Sequence, residues 1–122
     1  MPFKVTVSRS LHYVRYDAAG PTSLKNFTEL ATFVAADTAF YEDAKVLVDL
    51  RRVEGRLTPH EQVLLGEVAA LKLPYVFKLA SLVPAAEVTH NSERAAVAKG
   101  LTMRVFASES EAVDWLLEAD VV

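Results

Sequence analysis

Three histidines, at positions 12, 60 and 90, are the side chains of this 122-residue sequence best suited to moving protons near neutral pH or holding a metal. Their spacing serves neither purpose. No pair falls in the HxxxH or HExxH arrangement that puts two imidazoles on one helical face. The pattern places His12 on a strand surface, His60 in the first turn of a helix and His90 in a weakly patterned helix. Each reads as structural or solvated, and no metal site is expected. There is no cysteine, which removes thiolate nucleophiles, disulfides and cysteine-held zinc together and fits a reducing, cytoplasmic setting. Four glycines, at 20, 55, 66 and 100, are too scattered for a dinucleotide or phosphate loop, and no G-x-S-x-G elbow occurs. Glu61 and Glu67 lack the three- or four-residue spacing of a shared carboxylate site. The expectation is a non-enzymatic chain with no cofactor.

One gathering of polar residues does interest on physical grounds. In open α/β sheets, ligands collect beyond the carboxyl ends of parallel strands. Those ends would carry Asp49, Arg51, Thr58, Ser81 and Ser108 toward one edge. Helix N-termini expected at Thr58 and Ser108 would add partial positive charge there. A plainer reading covers the same residues: Asp49 satisfies loop amides, and the hydroxyls cap helices. The net charge of −3, with Glu54 interrupting Arg51, Arg52 and Arg56, argues against a nucleic-acid partner. No apolar run approaches the roughly 18 residues that span a bilayer, so an integral membrane protein is not expected. The first residues lack the pattern of an export signal.

The elements that must position these residues follow from periodicity. Phe3, Val5 and Val7 alternate with polar neighbours as a half-buried strand, and Leu11 to Tyr16 reads as its hairpin partner, stopped by Asp17-Ala18-Ala19-Gly20-Pro21. Thr22 or Ser23 caps a helix burying Leu24, Phe27, Leu30, Ala31 and Val34, with Lys25, Asn26, Thr28 and Glu29 turned away. Lys45-Val46-Leu47-Val48-Asp49-Leu50 has an apolar triplet with no alternation, the mark of a strand covered on both faces. Thr58-Pro59-His60-Glu61 forms a capping box with proline at the first helical position, opening a helix to about Lys72. Gly66, Ala69 and Ala70 form its small-residue surface, better explained by packing within the domain than by a dimer seam.

Tyr75 to Ala80 is the next strand, followed by a helix over 85–99 whose thin apolar face predicts loose packing or a break near Asn91-Ser92. A short strand at Thr102 to Phe106 and a second capping box at Ser108-Glu109-Ser110-Glu111 lead into a last helix burying Ala112, Trp115, Leu116 and Ala119. The order predicts a single α/β domain over residues 1–122. Its mixed five-stranded sheet starts as a β-hairpin, continues in parallel strands, and is flanked by about four helices.

Three segments in that order carry a family likeness. They are Val46-Leu47-Val48-Asp49-Leu50-Arg51 with Gly55 after it, Arg94-Ala95-Ala96-Val97-Ala98, and Arg104 to Leu116 with its R-V-F and E-A-x-x-W-L pattern. Together they resemble the SpoIIAA-like family of small bacterial proteins, related to STAS domains and compared with Sec14-type lipid-binding domains. The resemblance implies a non-enzymatic regulatory or protein-interaction module. In antagonists of that type a phosphorylatable serine sits in a D-S-S-G-type turn before the helix after the central strand. Here that stretch is Val53-Glu54-Gly55-Arg56-Leu57-Thr58, and Thr58 is its only hydroxyl and the candidate phosphorylation site.

Two functional expectations result. The first is a module that binds a protein partner or itself, the latter as a dimer, through helix surfaces such as Gly66-Ala69-Ala70. The second is a carrier of a small apolar ligand or lipid, with a pocket between the 85–99 helix and the sheet lined by residues such as Leu64, Tyr75 and Phe77.

Overall fold

The computed structural model describes residues 1–118. Two strands open it, β1 (Lys4–Arg9) and β2 (Val14–Pro21), followed by α1 (Leu24–Asp37), β3 (Ala44–Glu54), α2 (Pro59–Lys72) and β4 (Val76–Leu82). A single 3₁₀ turn (Ala85–Glu87), α3 (Asn91–Ala98), β5 (Met103–Phe106) and α4 (Glu109–Leu117) complete it. The strands form one sheet in the order β1-β2-β3-β4-β5. β1 pairs antiparallel with β2, and β2, β3, β4 and β5 are mutually parallel. The expected single α/β unit with a mixed five-stranded sheet and four helices is therefore what forms.

Three crossovers step across the sheet in one direction, and α1, α2 and α3 lie on one face, the outcome of connections of a single hand. Under them lies the larger core, with Tyr16, Val46, Val48 and Leu79 from the sheet meeting Leu30, Val34, Ala69 and Ala96 from the helices. α4 alone packs on the other face, where Ala112 and Leu116 cover Leu47, Ala80, Leu82 and Phe106. Val46, Leu47 and Val48 are all buried because two different helical layers cover alternate residues. Beyond α4 the second face is polar: Lys4, Thr6 and Ser8 of β1 are exposed there, beside half-buried Arg15 and Asp17.

Several local expectations are corrected. β2 does not stop at Tyr16 but runs to Pro21, because Ala19, Gly20 and Pro21 find a neighbour in Arg52, Val53 and Glu54 of a long β3. Parallel pairing overrides the turn chemistry of those residues. His12 lies in the hairpin turn rather than on a strand surface. Asn26 is buried, not turned away, since its amide donates to the carbonyls of Met1 (2.8 Å) and Pro21 (2.9 Å). The 85–99 segment, by contrast, breaks where the sequence allowed it, into a 3₁₀ turn and a separate α3 that starts at Asn91.

α3 is not loosely packed. A Cβ on Gly66 would stand 2.2 Å from the Ser92 carbonyl oxygen and 2.9 Å from the Ala95 Cβ, so the glycine permits backbone contact between α2 and α3. Gly66 is buried by that contact and Ala69 by the core, the packing within the domain that the sequence favoured for this surface. The capping box at Thr58 forms as expected, with Thr58 Oγ1 accepting from the Glu61 amide and Glu61 Oε1 accepting from the Thr58 amide. Ser108 caps α4, accepting from the Glu111 amide at 3.3 Å. Ala119 lies outside the described residues.

Candidate functional site

The sheet divides the residues expected at its edge between two faces. Asp49 and Arg51 lie on the α4 face in a network of two arginines and three carboxylates. Arg15 donates to Asp49 at 2.7 Å, to Glu109 at 2.8 Å and to Asp17 at 3.1 Å. Arg51 donates to Asp49 through Nη2 (2.8 Å), Nε (3.1 Å) and its own amide (3.0 Å), and reaches Glu109 at 3.1 Å. Burial alone would raise the Asp49 carboxyl, but Arg51 and then Arg15 outweigh it and hold the group below its usual range. Glu109 is also lowered, chiefly by its bond to Arg15. These residues satisfy one another, and Glu109, the first residue of α4, fastens that helix to the sheet.

The other face holds a cavity of about 390 Å³ at the carboxyl ends of the strands. Its walls are α1 (Phe27, Leu30), α2 (Leu65, Ala69), β4 (Leu79) with Val83 just after it, and β5 (Met103, Val105). β3 contributes Val48, Leu50 and Val53, an alternation broken by one residue. The break is a β-bulge: β2 advances from Asp17 to Ala19 while β3 advances from Asp49 to Arg52. Arg51 shares the Asp49 face by ordinary alternation, and the extra residue then re-aims the end of β3 so that Val53 turns into the cavity.

Ser81 is the buried polar residue of this lining, 6% exposed. Its hydroxyl bonds to no group among the described residues, although no fully enclosed polar side-chain atom there lacks a partner. The hydroxyl therefore faces the cavity space. The rim is polar. Arg56 reaches Glu87 at 3.4 Å and the Ala86 carbonyl at 3.3 Å. Gln62 Oε1 accepts from the Thr89 hydroxyl at 2.7 Å and the Asn91 amide at 2.8 Å. Thr22 donates to the carbonyl of Gly55, whose φ of +84° lets the chain turn from β3 toward α2.

The remaining expected residues lie elsewhere. Tyr75 precedes β4 and is exposed, and neither it, Phe77 nor Leu64 lines the cavity. Tyr75 and Phe77 stand at the amino end of β4, whereas the cavity opens at the carboxyl end. The pocket expected between the 85–99 helix and the sheet is thus displaced. It lies between α1, α2 and the sheet, and the 85–99 segment supplies only the rim residues Glu87, Thr89 and Ser92. Thr58 is exposed and engaged as a cap.

The sequence reading missed Arg15, Asp17 and Glu109, and at the cavity Phe27, Leu50, Val53 and Arg56. A signal for the first group existed in Arg15 and Asp17 at positions two apart on one strand, matching Asp49 and Arg51 on the next. Among the described residues, no group of three metal-binding side chains clusters, and no helix is long and apolar enough to cross a membrane.

This architecture has a solved counterpart. Over 94% of both chains it is similar, with a TM-score of 0.55 and 19% sequence identity, to the crystal structure of an uncharacterized DUF3478-family protein with a SpoIIAA-like fold from Shewanella loihica PV-4. The fold is SpoIIAA-like. At 19% identity the likeness carries the architecture and nothing of the activity. No family model matches the chain, and no curated protein matches it. Within this SpoIIAA-like fold the cavity and the ion network occupy opposite faces of the same strand ends, divided by β3.

Proposed function

We propose that this SpoIIAA-like chain is a non-enzymatic module that binds a small, largely apolar ligand between α1, α2 and the sheet. One observation carries the reading: an apolar cavity of about 390 Å³ lined by one buried polar residue, Ser81. Small-molecule sites typically enclose roughly 300–1,000 Å³, with apolar walls and a few polar groups that fix orientation. The carboxyl ends of parallel strands are where such folds take ligands. Native mass spectrometry and calorimetry with decanol test the proposal. Binding in the wild type that is lost in a folded Ala31→Leu variant, which fills the wall, supports it. Binding unaffected by that substitution, or none at all, removes it.

A second reading, the STAS-related interaction module, draws on a different surface. The topology brings Leu11, Phe40, Leu71 and Tyr75 to the amino end of the sheet, opposite the cavity mouth, and all four are at least 79% exposed. Exposed apolar side chains gathered at one end favour a protein partner or self-association there. Light scattering over a wide concentration range is the check. Self-association weakened by Phe40→Ser supports a dimer through this end, and a monomer throughout the range rules self-association out.

A further inference from the structure

The cavity walls are neutral, but the mouth is not, and from it we infer the charge class of the ligand: a single-chain amphiphile with a carboxylate head. This inference rests on the reading of the cavity as a ligand site and adds the chemistry of its opening. Arg56 is the one cationic side chain among the described lining residues. It is held loosely, 3.4 Å from Glu87, and its side chain is 60% exposed, so the guanidinium is available to a better partner. A free carboxylate can accept two parallel N–H bonds from it, shorter and stronger than the present contact.

The backbone adds to that preference. The amino ends of three helices meet the cavity: Thr22 precedes the Ser23 cap of α1, Pro59 is the first residue of α2, and Ser92 lies in the first turn of α3. Each end carries the partial positive charge of its helix, although Ser23 and Thr58 already cap α1 and α2 and α3 alone lacks a side-chain cap. Glu87 is the one acidic residue in the described lining, and Arg56 already partners it. The balance at the mouth therefore favours an anion over a cation. Independently of the helix ends, the Ser81 hydroxyl bonds no group among the described residues and lines the interior, where a ligand's polar atom can reach it. The ligand carboxylate takes the place of Glu87 on Arg56, the tail fills the space under α1 and α2, and Ser81 meets a polar atom along the chain.

Three probes with one tail and different heads test this: decanoate, decanol and decyltrimethylammonium, titrated calorimetrically at low salt and below their micelle thresholds. Decanoate is expected to bind about tenfold tighter than decanol, and the cation more weakly than both. Arg56→Gln should erase the decanoate advantage while leaving decanol affinity in place. Glu87→Gln, which frees the guanidinium, should tighten decanoate. Equal affinities in the wild type, a decanoate preference that survives Arg56→Gln, or tightest binding of the cation would overturn the charge inference and leave the apolar site standing. Binding of none of the three would overturn the site itself.

Discussion

Asp49 shows most clearly how a single side chain is accounted for here. It is buried, it faces two guanidiniums, and its carboxyl is held below the normal range because Arg51 and Arg15 outweigh the cost of burial. A carboxylate whose folded value is depressed contributes stability that is present above the unfolded value and lost as pH falls through the folded one. Glu109 and Asp37 behave the same way, the latter held down first by Arg9 at 2.6 Å. Stability should therefore fall as pH drops below about 4, where ordinary carboxylates protonate. Asp49→Asn should lower stability at neutral pH by about 2 kcal/mol, since it leaves two arginines short of a charge. It should also flatten the acid limb of a urea-denaturation series, and an unchanged limb would show that the network is not coupled to folding. At Thr58 the capping box is complete, and Thr58→Ala should cost about 1 kcal/mol in the same assay. That cap was legible, because a capping box is local. The partners of Asp49 were only half legible: Arg51 stands two residues away on the same strand, but Arg15 reaches it through a parallel register that no local pattern announces.

At the scale of elements, the contact between α2 and α3 is the sharpest test. Alanine would improve the helix propensity of position 66 by up to about 1 kcal/mol. Its methyl, however, would meet a backbone oxygen at 2.2 Å, which no side-chain rotation relieves. Overpacking of this kind costs roughly 1–3 kcal/mol, so Gly66→Ala should destabilise by urea titration despite the better propensity. A more stable variant would mean that the helices part freely. The sequence showed Gly66, Ala69 and Ala70 as a small-residue surface and its packing role within the domain. It did not show which helix it met, because the predicted 85–99 helix offered only Val88, Ala95 and Ala96 as a pattern and reads as thinly apolar when taken alone. The glycine explains the discrepancy: a helix brought to backbone contact needs few large side chains to be buried. The bulge in β3 was invisible for a related reason. Leu50, Arg51, Arg52 and Val53 fit either side of a strand until the partner strand counts one residue fewer.

For the molecule as a whole, the order of strands and helices was readable from end to end, since each element carries its own periodicity and caps. The cavity was not, because it is an absence shared among α1, α2 and three strands. The sequence pointed to a pocket on the helical side but placed it under the wrong helix. A ligand filling that space should stabilise the whole chain by mass action, about 2.7 kcal/mol at a hundredfold excess over Kd. A rise in Tm with decanoate concentration, absent in Arg56→Gln at the same concentrations, is the expected result. A Tm that does not move would place the cavity among the packing defects of the fold.

The unequal covering of the two faces has a kinetic side. Three helices close the larger core, whereas α4 alone closes the smaller one, anchored by Ala112 and Leu116, by Glu109 at its start and by Lys78, which donates to the Trp115 carbonyl near its end at 2.8 Å. Detaching α4 exposes only the smaller core and leaves β3 covered from the other side. Amide protons of α4 should then exchange with solvent through a partial opening of low cost, while those of β3 wait for global unfolding. The chain would come apart from its last helix first.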